Sequence, residues 1–338
     1  MTNLHNTLYI TTDNAYLARD GESLVVKAGG ETKLQVPLHH LASVVCFGRV
    51  AVSPEAMNLC AEAGVALTFL SAYGRFLGRV EGRCPSTTTL RRAQYRLADD
   101  PAGTLRLAKG FVSGKIANSR LVLRRAARTR DEGAGAIAAA ADRLAQLGLD
   151  ALSAADLDTL RGHEGEAAAR YFGVFDAMLA SAELPFVKRS RRPPENEVNA
   201  LLSFGYVLLG ADCGAALESA GLDPAMGYLH AERSNRPALA LDLMEEFRAL
   251  VVDRLVMALV RLGQIKPSDF TRLPTGEVRM SDALRKLFLI EYQKRKREDV
   301  THPALAEPTT WAVVPHIQAR ALARAIRGEG DYVPFLPR

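Results

Sequence analysis

Glu81-Gly-Arg-Cys-Pro-Ser-Thr-Thr-Thr89 divides the chain into two textures. One glycine, one proline and four hydroxyl residues in nine positions are linker chemistry, because glycine and proline interrupt regular structure and clustered hydroxyl residues mark loops. On its N-terminal side lie short runs rich in β-branched and aromatic residues: Leu8–Ile10, Tyr16–Leu17, Ser23–Lys27, Thr32–Val36, Val44–Phe47, Ala66–Leu70 and Arg75–Val80. Asp20-Gly21, Gly29-Gly30 and Tyr73-Gly74 supply turns between several of them. One helix interrupts the pattern, with Ser53 as capping hydroxyl, Pro54 at the first helical position and Gly64 as the stop.

On the C-terminal side, from Leu90, the period becomes helical. Leu105, Ala108, Val112, Ile116 and Leu123 recur at three and four, with Lys109, Lys115, Arg120 and Arg124 expected on other faces. Leu201–Leu209 is apolar nearly all round, the mark of a central buried helix, and a last helix is expected near Val314–Arg327. Lys188-Arg-Ser-Arg-Arg-Pro-Pro194 is a second break, expected to expose Lys188, Arg189, Arg191 and Arg192. The predicted class is α+β: a small sandwich-like β-domain over residues 1–82, a linker at 83–90 and a larger all-α domain over 91–338.

A chain of 338 residues has room for two cores, and its 48% hydrophobic and 24% charged residues are ordinary for a globular protein. Apolar runs such as Leu255–Val260 are too short to span a bilayer, and no basic, then apolar, N-terminal segment suggests secretion. Cys46, Cys60, Cys84 and Cys213 lie far apart with no CxxC pair, which argues against zinc and for reduced thiols in the cytoplasm.

Charge is distributed unevenly. Residues 1–88 balance seven basic residues against seven acidic ones, whereas 91–130 hold eleven basic against two acidic, Asp99 and Asp100. Such a segment suits a polyanion, although arginines on long helices also serve simply as solvated, stem-packing side chains.

Two stretches carry candidate ligands for a hard divalent ion. One is Leu160-Arg-Gly-His-Glu-Gly-Glu166; the other runs from Gly227-Tyr-Leu-His230 to Leu241-Asp-Leu-Met-Glu-Glu-Phe-Arg248. Glu164, between Gly162 and Gly165, reads as the start of a new helix. On a continuous helix over Leu241–Val260, Asp242, Glu245 and Glu246 fall at i, i+3 and i+4 and project from nearly one side. The apolar residues around them, Leu243, Met244, Phe247, Leu250 and Val251, place at least one carboxylate near the core. A metal, Arg248 or Arg254 would compensate it there. Each piece alone is equally an ordinary helix-end acid or a surface histidine.

Together, however, these residues carry a resemblance. Arg161-Gly-His-Glu-Gly-Glu-Ala-Ala168, Arg191-Arg-Pro-Pro-Glu-Asn-Glu-Val-Asn-Ala-Leu-Leu-Ser-Phe-Gly-Tyr206, Gly227–His230 and Leu241–Arg248 are similar to the motifs of CRISPR-associated protein 1, the DNA integrase of spacer acquisition. Asn6–Ile10, Pro37–Leu41, Ala72–Leu77 and Thr301-His-Pro303 resemble most its I-C subtype. Tyr228, where Phe is commoner, and Asn235, where Gly is usual, depart from the pattern without removing a ligand.

The resemblance implies roles. Mg2+ or Mn2+ would be held by Glu164, His230 and Glu245, with Asp242 as a supporting catalytic carboxylate; between Glu245 and Glu246 only the motif match decides. The implied reaction is transesterification, in which the 3′-hydroxyl of a captured DNA fragment attacks a phosphodiester at the edge of a CRISPR repeat. Arg248 and Arg254 are candidates for charge stabilisation. Arg120, Arg124, Arg125, Lys188, Arg189, Arg191, Arg192 and the run Lys294–Arg297 are candidates for binding the phosphates of double-stranded DNA. Implied partners are a second copy, joined through the β-domain, and the small CRISPR-associated protein 2. A hydrolytic nuclease or resolvase using the same site, and a non-catalytic DNA-binding scaffold, are the rival readings.

Overall fold

The computed structural model describes residues 6–337 except 73, 75, 81, 83–87, 131, 191–192, 232, 234–235 and 306–307. The Tyr73-Gly74 turn, Cys84, much of the expected linker, Arg191, Arg192 and Asn235 therefore fall wholly or partly outside the described residues.

The expected β-rich N-terminal region is present as two four-stranded sheets. The first has the order β1 (Thr7–Ile10), β5 (Ser43–Phe47), β7 (Ala66–Leu70), β8 (Phe76–Val80); the second has β4 (Glu31–Pro37), β3 (Ser23–Ala28), β2 (Tyr16–Asp20), β6 (Ala51–Val52). The two-residue β6 escaped sequence reading; it pairs parallel to β2 at Tyr16 and Leu17. Between the sheets lie Ile10, Leu17, Leu24, Val26, Val44, Cys46 and Leu67. The helix α1 (Pro54–Ala63) has the expected ends: Ser53 accepts from the Ala56 N–H and Gly64 adopts a left-handed φ of 68°.

β5 explains how the sheets join the helices. All five of its residues are buried. Val44 and Cys46 face the inter-sheet core, whereas Val45 and Phe47 belong to the helical core. A strand covered on both faces reads as a continuous apolar run and not as an alternation.

The C-terminal region consists of α2 (Thr88–Ala98), α3 (Pro101–Thr129), α4 (Ala134–Ser153), α5 (Leu157–Gly173), α6 (Phe175–Leu179), α7 (Glu197–Ser219), α8 (Ala238–Met244), α9 (Arg254–Arg261), α10 (Asp282–Arg297) and α11 (Val314–Ile326). Two small hairpins interrupt them, β9 (Phe270–Arg272) with β10 (Val278–Met280), and β11 (Asp299–Val300) with β12 (Thr309–Thr310). α7 is the central helix, as expected. By length and composition it could cross a membrane, but most of it is buried within the protein, as a core helix would be.

Three sequence expectations change. Glu164 does not start a helix. It lies inside α5, whose N-terminus is capped by Asp156 accepting from the Thr159 N–H. A side chain on Gly162 or Gly165 would touch nothing, so packing of α5 on α3 and α4 outweighs two weak helix formers. The stripe of α3 runs through Leu107 and Phe111 as well, while Leu105 is only half-buried. The helix expected over Leu241–Val260 is broken: α8 ends at Met244, and Arg248–Asp253 form a π-helical segment before α9. Between them 245–247 form a turn whose Glu245 and Phe247 N–H groups bond three residues back, to the Asp242 and Met244 carbonyls, so uniform α spacing already fails at the acids.

Candidate active site

Four segments converge on one acidic cluster: α3 through Lys115, α5 through Glu164, the loop before α8 through His230, and the break after α8 through Glu245. The loop is held from both ends. Gln94 of α2, fully buried, donates to the carbonyls of Asp223 (2.8 Å) and Met226 (3.1 Å) and accepts from the Asp223 N–H (2.9 Å). Arg161 of α5 donates to the Leu229 carbonyl at 2.8 Å.

Asp242 completes the hold. It has no exposed surface, and its carboxylate accepts from the backbone N–H groups of Tyr228 (2.7 Å), Leu229 (3.0 Å) and His230 (3.0 Å). Gly227 is needed here: a Cβ would lie 2.8 Å from that of Ala238 and 2.9 Å from Asp242 Oδ2. Tyr228 turns its hydroxyl to the Gln94 carbonyl, so its departure from Phe adds a bond. His230 Nδ1 stands 2.6 Å from Asp242 Oδ1, which leaves Nε2 facing Glu245 Oε1 at 3.9 Å. An imidazole with one nitrogen bound to a carboxylate has the tautomer and orientation typical of a metal ligand.

The three acids expected on one side are parted by the helix break. Glu245 turns to His230, Lys115 and Arg248. Glu246 turns the opposite way into the C-terminal segment, accepting from the Phe335 N–H (2.7 Å), Gln318 Nε2 (3.1 Å) and the Tyr332 hydroxyl. Burial pushes the Glu246 carboxyl up to about 7, against the opposing pull of those three donors. Burial acts upward on Glu245 too, but Arg248, Lys115 and His230 outweigh it and hold that carboxyl well below its usual range.

Cations occupy the middle of the cluster. Lys115 Nζ pairs with Glu164 Oε1 and lies 2.8 Å from Glu245 Oε2. Arg248 pairs with Glu245 Oε1 while its guanidinium rests over the Tyr206 ring, 4.1 Å from the centroid. Tyr206 and Tyr171 both donate to buried Asp253, at 2.5 and 3.0 Å. As the side chains stand, no three His, Cys, Asp or Glu groups among the described residues are close enough to hold an ion. The donor set nevertheless suits a hard divalent ion: one imidazole nitrogen and two carboxylates, with Glu245 Oε2 buried and receiving no directed hydrogen bond.

Lys115 is the residue sequence reading misplaced. Assigned to an outer face, it is instead nearly buried, with 12% of its side chain exposed. The signal was present, since Lys115 falls four residues after Phe111 and three after Val112, on the apolar stripe itself. Gln94 and Arg161 have no comparable signal, because their partners lie more than 60 residues away.

The cationic candidates divide. Arg124 and Arg125 are exposed, Arg120 is half-buried with an unpartnered Nε, and Lys188 is exposed near Glu195. Arg189, expected on the surface, turns inward to Asn199 (2.7 Å), Ser203 (3.2 Å) and the Tyr206 ring. Arg254 is half-buried, its guanidinium pushed down to about 10 by burial and by neighbouring Arg295 and Arg125. Of the run Lys294–Arg297, Arg295 and Lys296 are also buried. Arg295 donates to the Leu250 carbonyl, and Lys296 bonds Asp212 and Thr7, which ties α10 to the β-region.

Residues 8–294 match the family described as CRISPR associated protein Cas1. A relative from Moorella thermoacetica, "CRISPR-associated endonuclease Cas1 1", is 46% identical over 341 residues, covering 99% of both chains. Among solved structures, a CAS1 protein from Thermotoga maritima superposes with a TM-score of 0.83 at 24% identity, covering 97% of this chain and 99% of that one. A chain of a Cas6-RT-Cas1–Cas2 complex superposes with a TM-score of 0.81 at 25% identity, covering 96% of this chain and 35% of that one.

Proposed function

The chain belongs to the CRISPR-associated Cas1 family, and on that premise we propose that it is a DNA endonuclease and integrase of CRISPR adaptation, dependent on Mg2+ or Mn2+, that joins 3′-hydroxyl ends of captured DNA into the repeat array. The observation that carries the reading is that segments far apart in the chain bring His230 Nε2 to 3.9 Å from Glu245 Oε1 and let Glu245 and Glu164 share Lys115.

In this reading Glu164, Glu245 and His230 Nε2 hold the ion, and Asp242 is a positioning residue that never touches it. Asp242 binds the His230 Nδ1–H and three backbone N–H groups, so it fixes both the imidazole and the loop. A bound divalent ion would polarise the scissile phosphate and ease deprotonation of the attacking hydroxyl. Arg248, held over the Tyr206 ring, keeps Glu245 ionised and oriented. Exposed Arg124 and Arg125 bind phosphates without reading sequence, with specificity left to DNA shape, partner or assembly.

The proposal extends to organisation. Residues 1–82 form a dimerisation domain with its own inter-sheet core and 91–338 the catalytic domain; of the linker expected over 83–90, residues 88–90 are instead the start of α2. Partners are double-stranded DNA, a second copy of the chain and CRISPR-associated protein 2; the structural relative drawn from a Cas1–Cas2 complex supports the last. The strings at Asn6–Ile10, Pro37–Leu41 and Thr301–Pro303 favour the I-C subtype, and buried free Cys46, Cys60 and Cys213 suit the cytoplasm.

The test is a joining assay. Protein and Mn2+ are incubated with a supercoiled repeat-bearing plasmid and a short duplex, with and without the small partner. Covalent joining of the duplex is expected. Nicking alone would favour hydrolysis, and neither reaction would favour a DNA-binding scaffold.

A further inference from the structure

We propose that Lys115 is a displaceable internal counter-ion: its ammonium holds the space between Glu164 and Glu245 until a divalent cation expels it, and this competition sets the metal affinity of the site. The inference rests on the metal-dependent reading above.

Charge balance carries the argument. Around buried Glu245, three carboxylates (Glu164, Glu245 and, across His230, Asp242) face two cations (Lys115, Arg248), so the cluster carries one net negative charge as it stands. Adding a dication with both cations in place would leave one uncompensated positive charge where Glu245 is 3% exposed and Lys115 12% exposed, whereas exchanging it for Lys115 leaves the cluster neutral. Uncompensated charge at such depth is strongly unfavourable, so the dication and one of the resident cations exclude each other.

Geometry says which one yields. Arg248 is fixed by a bond to Glu245 Oε1 and by the Tyr206 ring, 4.1 Å from its guanidinium, and Tyr206 is itself tied to Asp253. A planar guanidinium stacked on a ring is held in place by more than its charge. Lys115 has no such anchor. Its described partners are the two carboxylates, and it reaches them on an unbranched, flexible stem. Its hold on buried Glu245 Oε2 is a single ion pair at 2.8 Å. An ammonium on a flexible stem, held by its charge and a hydrogen bond to Glu164, gives way to an ion of twice the charge at the same oxygens.

The test measures Mn2+ binding in the absence of DNA, by calorimetry and by the electron paramagnetic resonance of free Mn2+. Lys115→Met is expected to bind Mn2+ about tenfold tighter than the unaltered protein, because the competing ion pair no longer lowers the fraction of sites ready for metal. Lys115→Arg, which keeps the charge, should show no such gain. If Lys115→Met instead binds Mn2+ equally or more weakly, Lys115 is a structural tie that preforms the site and the proposal is overturned. A measurement on the unaltered protein needs no variant: acetylation of Lys115, mapped by mass spectrometry, should accelerate on adding Mn2+, and an unchanged rate also overturns it. If neither unaltered protein nor variant binds Mn2+, the metal-dependent reading itself fails, a result distinct from metal binding that ignores Lys115.

Discussion

His230 Nδ1 and Asp242 Oδ1 stand 2.6 Å apart, and the same carboxylate binds the backbone N–H groups of residues 228, 229 and 230. One buried side chain thus sets the loop path and the ring tautomer together. A carboxylate against Nδ1 leaves the other ring nitrogen, Nε2, turned to Glu245.

Asp242→Asn should therefore fail in two ways. The amide replaces one acceptor oxygen with a donor facing N–H groups, which costs about 2–3 kcal/mol of stability. It also permits the wrong imidazole tautomer, so DNA joining should fall further than the stability loss explains. Calorimetric melting and the joining assay, run at a temperature where both proteins are folded, separate the two effects.

Glu164→Ala and His230→Ala remove proposed ligands from partly exposed positions and should leave the circular dichroism spectrum intact. Nicking and joining should drop by about a hundredfold or more. Intact DNA processing in both variants would rule out the proposed site.

Asp253 should leave a mark on the pH dependence of stability. Burial pushes its carboxyl from 3.8 up to about 6, with the bonds from Tyr206 and Tyr171 and the charge of Arg248 pulling the other way. The folded state then holds the proton longer than the unfolded chain. Its contribution is full below the unfolded value and is lost as pH rises from about 4 to about 6. Asp253→Asn should flatten the stability profile over that window by about 3 kcal/mol, as read from urea unfolding midpoints at half-unit pH intervals. Parallel profiles for the two proteins would show that Asp253 is ionised throughout.

Reversing charge at Arg124 and Arg125 tests the exposed end of the basic segment. Both should weaken DNA binding evenly across sequences and reduce the slope of log affinity against log salt by about one for every phosphate left without its cation. Fluorescence anisotropy at several NaCl concentrations measures this, and an unchanged slope would place the DNA surface elsewhere.

Much of the fold was legible before any coordinates. The Ser53-Pro54 start and Gly64 stop of α1, the buried α7 and the closing α11 all follow from local rules of capping and periodicity. The short β6 was not, because two residues carry no period and their pairing with Tyr16 and Leu17 is made across the chain. For the site, the sequence named Glu164, His230, Asp242 and Glu245, and the structure brings all four into one neighbourhood.

By itself, the sequence determined the residue types available, the change from period two to period 3.6 near Thr89, and the family. Only the tertiary structure decided how those residues are used. A helical projection assumes uniform α geometry, and the turn at 245–247 between α8 and the π segment breaks it, with Glu245 turned to His230 and Glu246 to Phe335. Arg189 and Lys296, written as surface cations, turn inward because their partners, Tyr206 and Asp212, are delivered by a different helix. Lys115 reads as one more solvated charge until α5 and the helix break bring two carboxylates to it. Periodicity reports which face of an element is buried, whereas the partner of a buried charge is supplied by segments tens to hundreds of residues away.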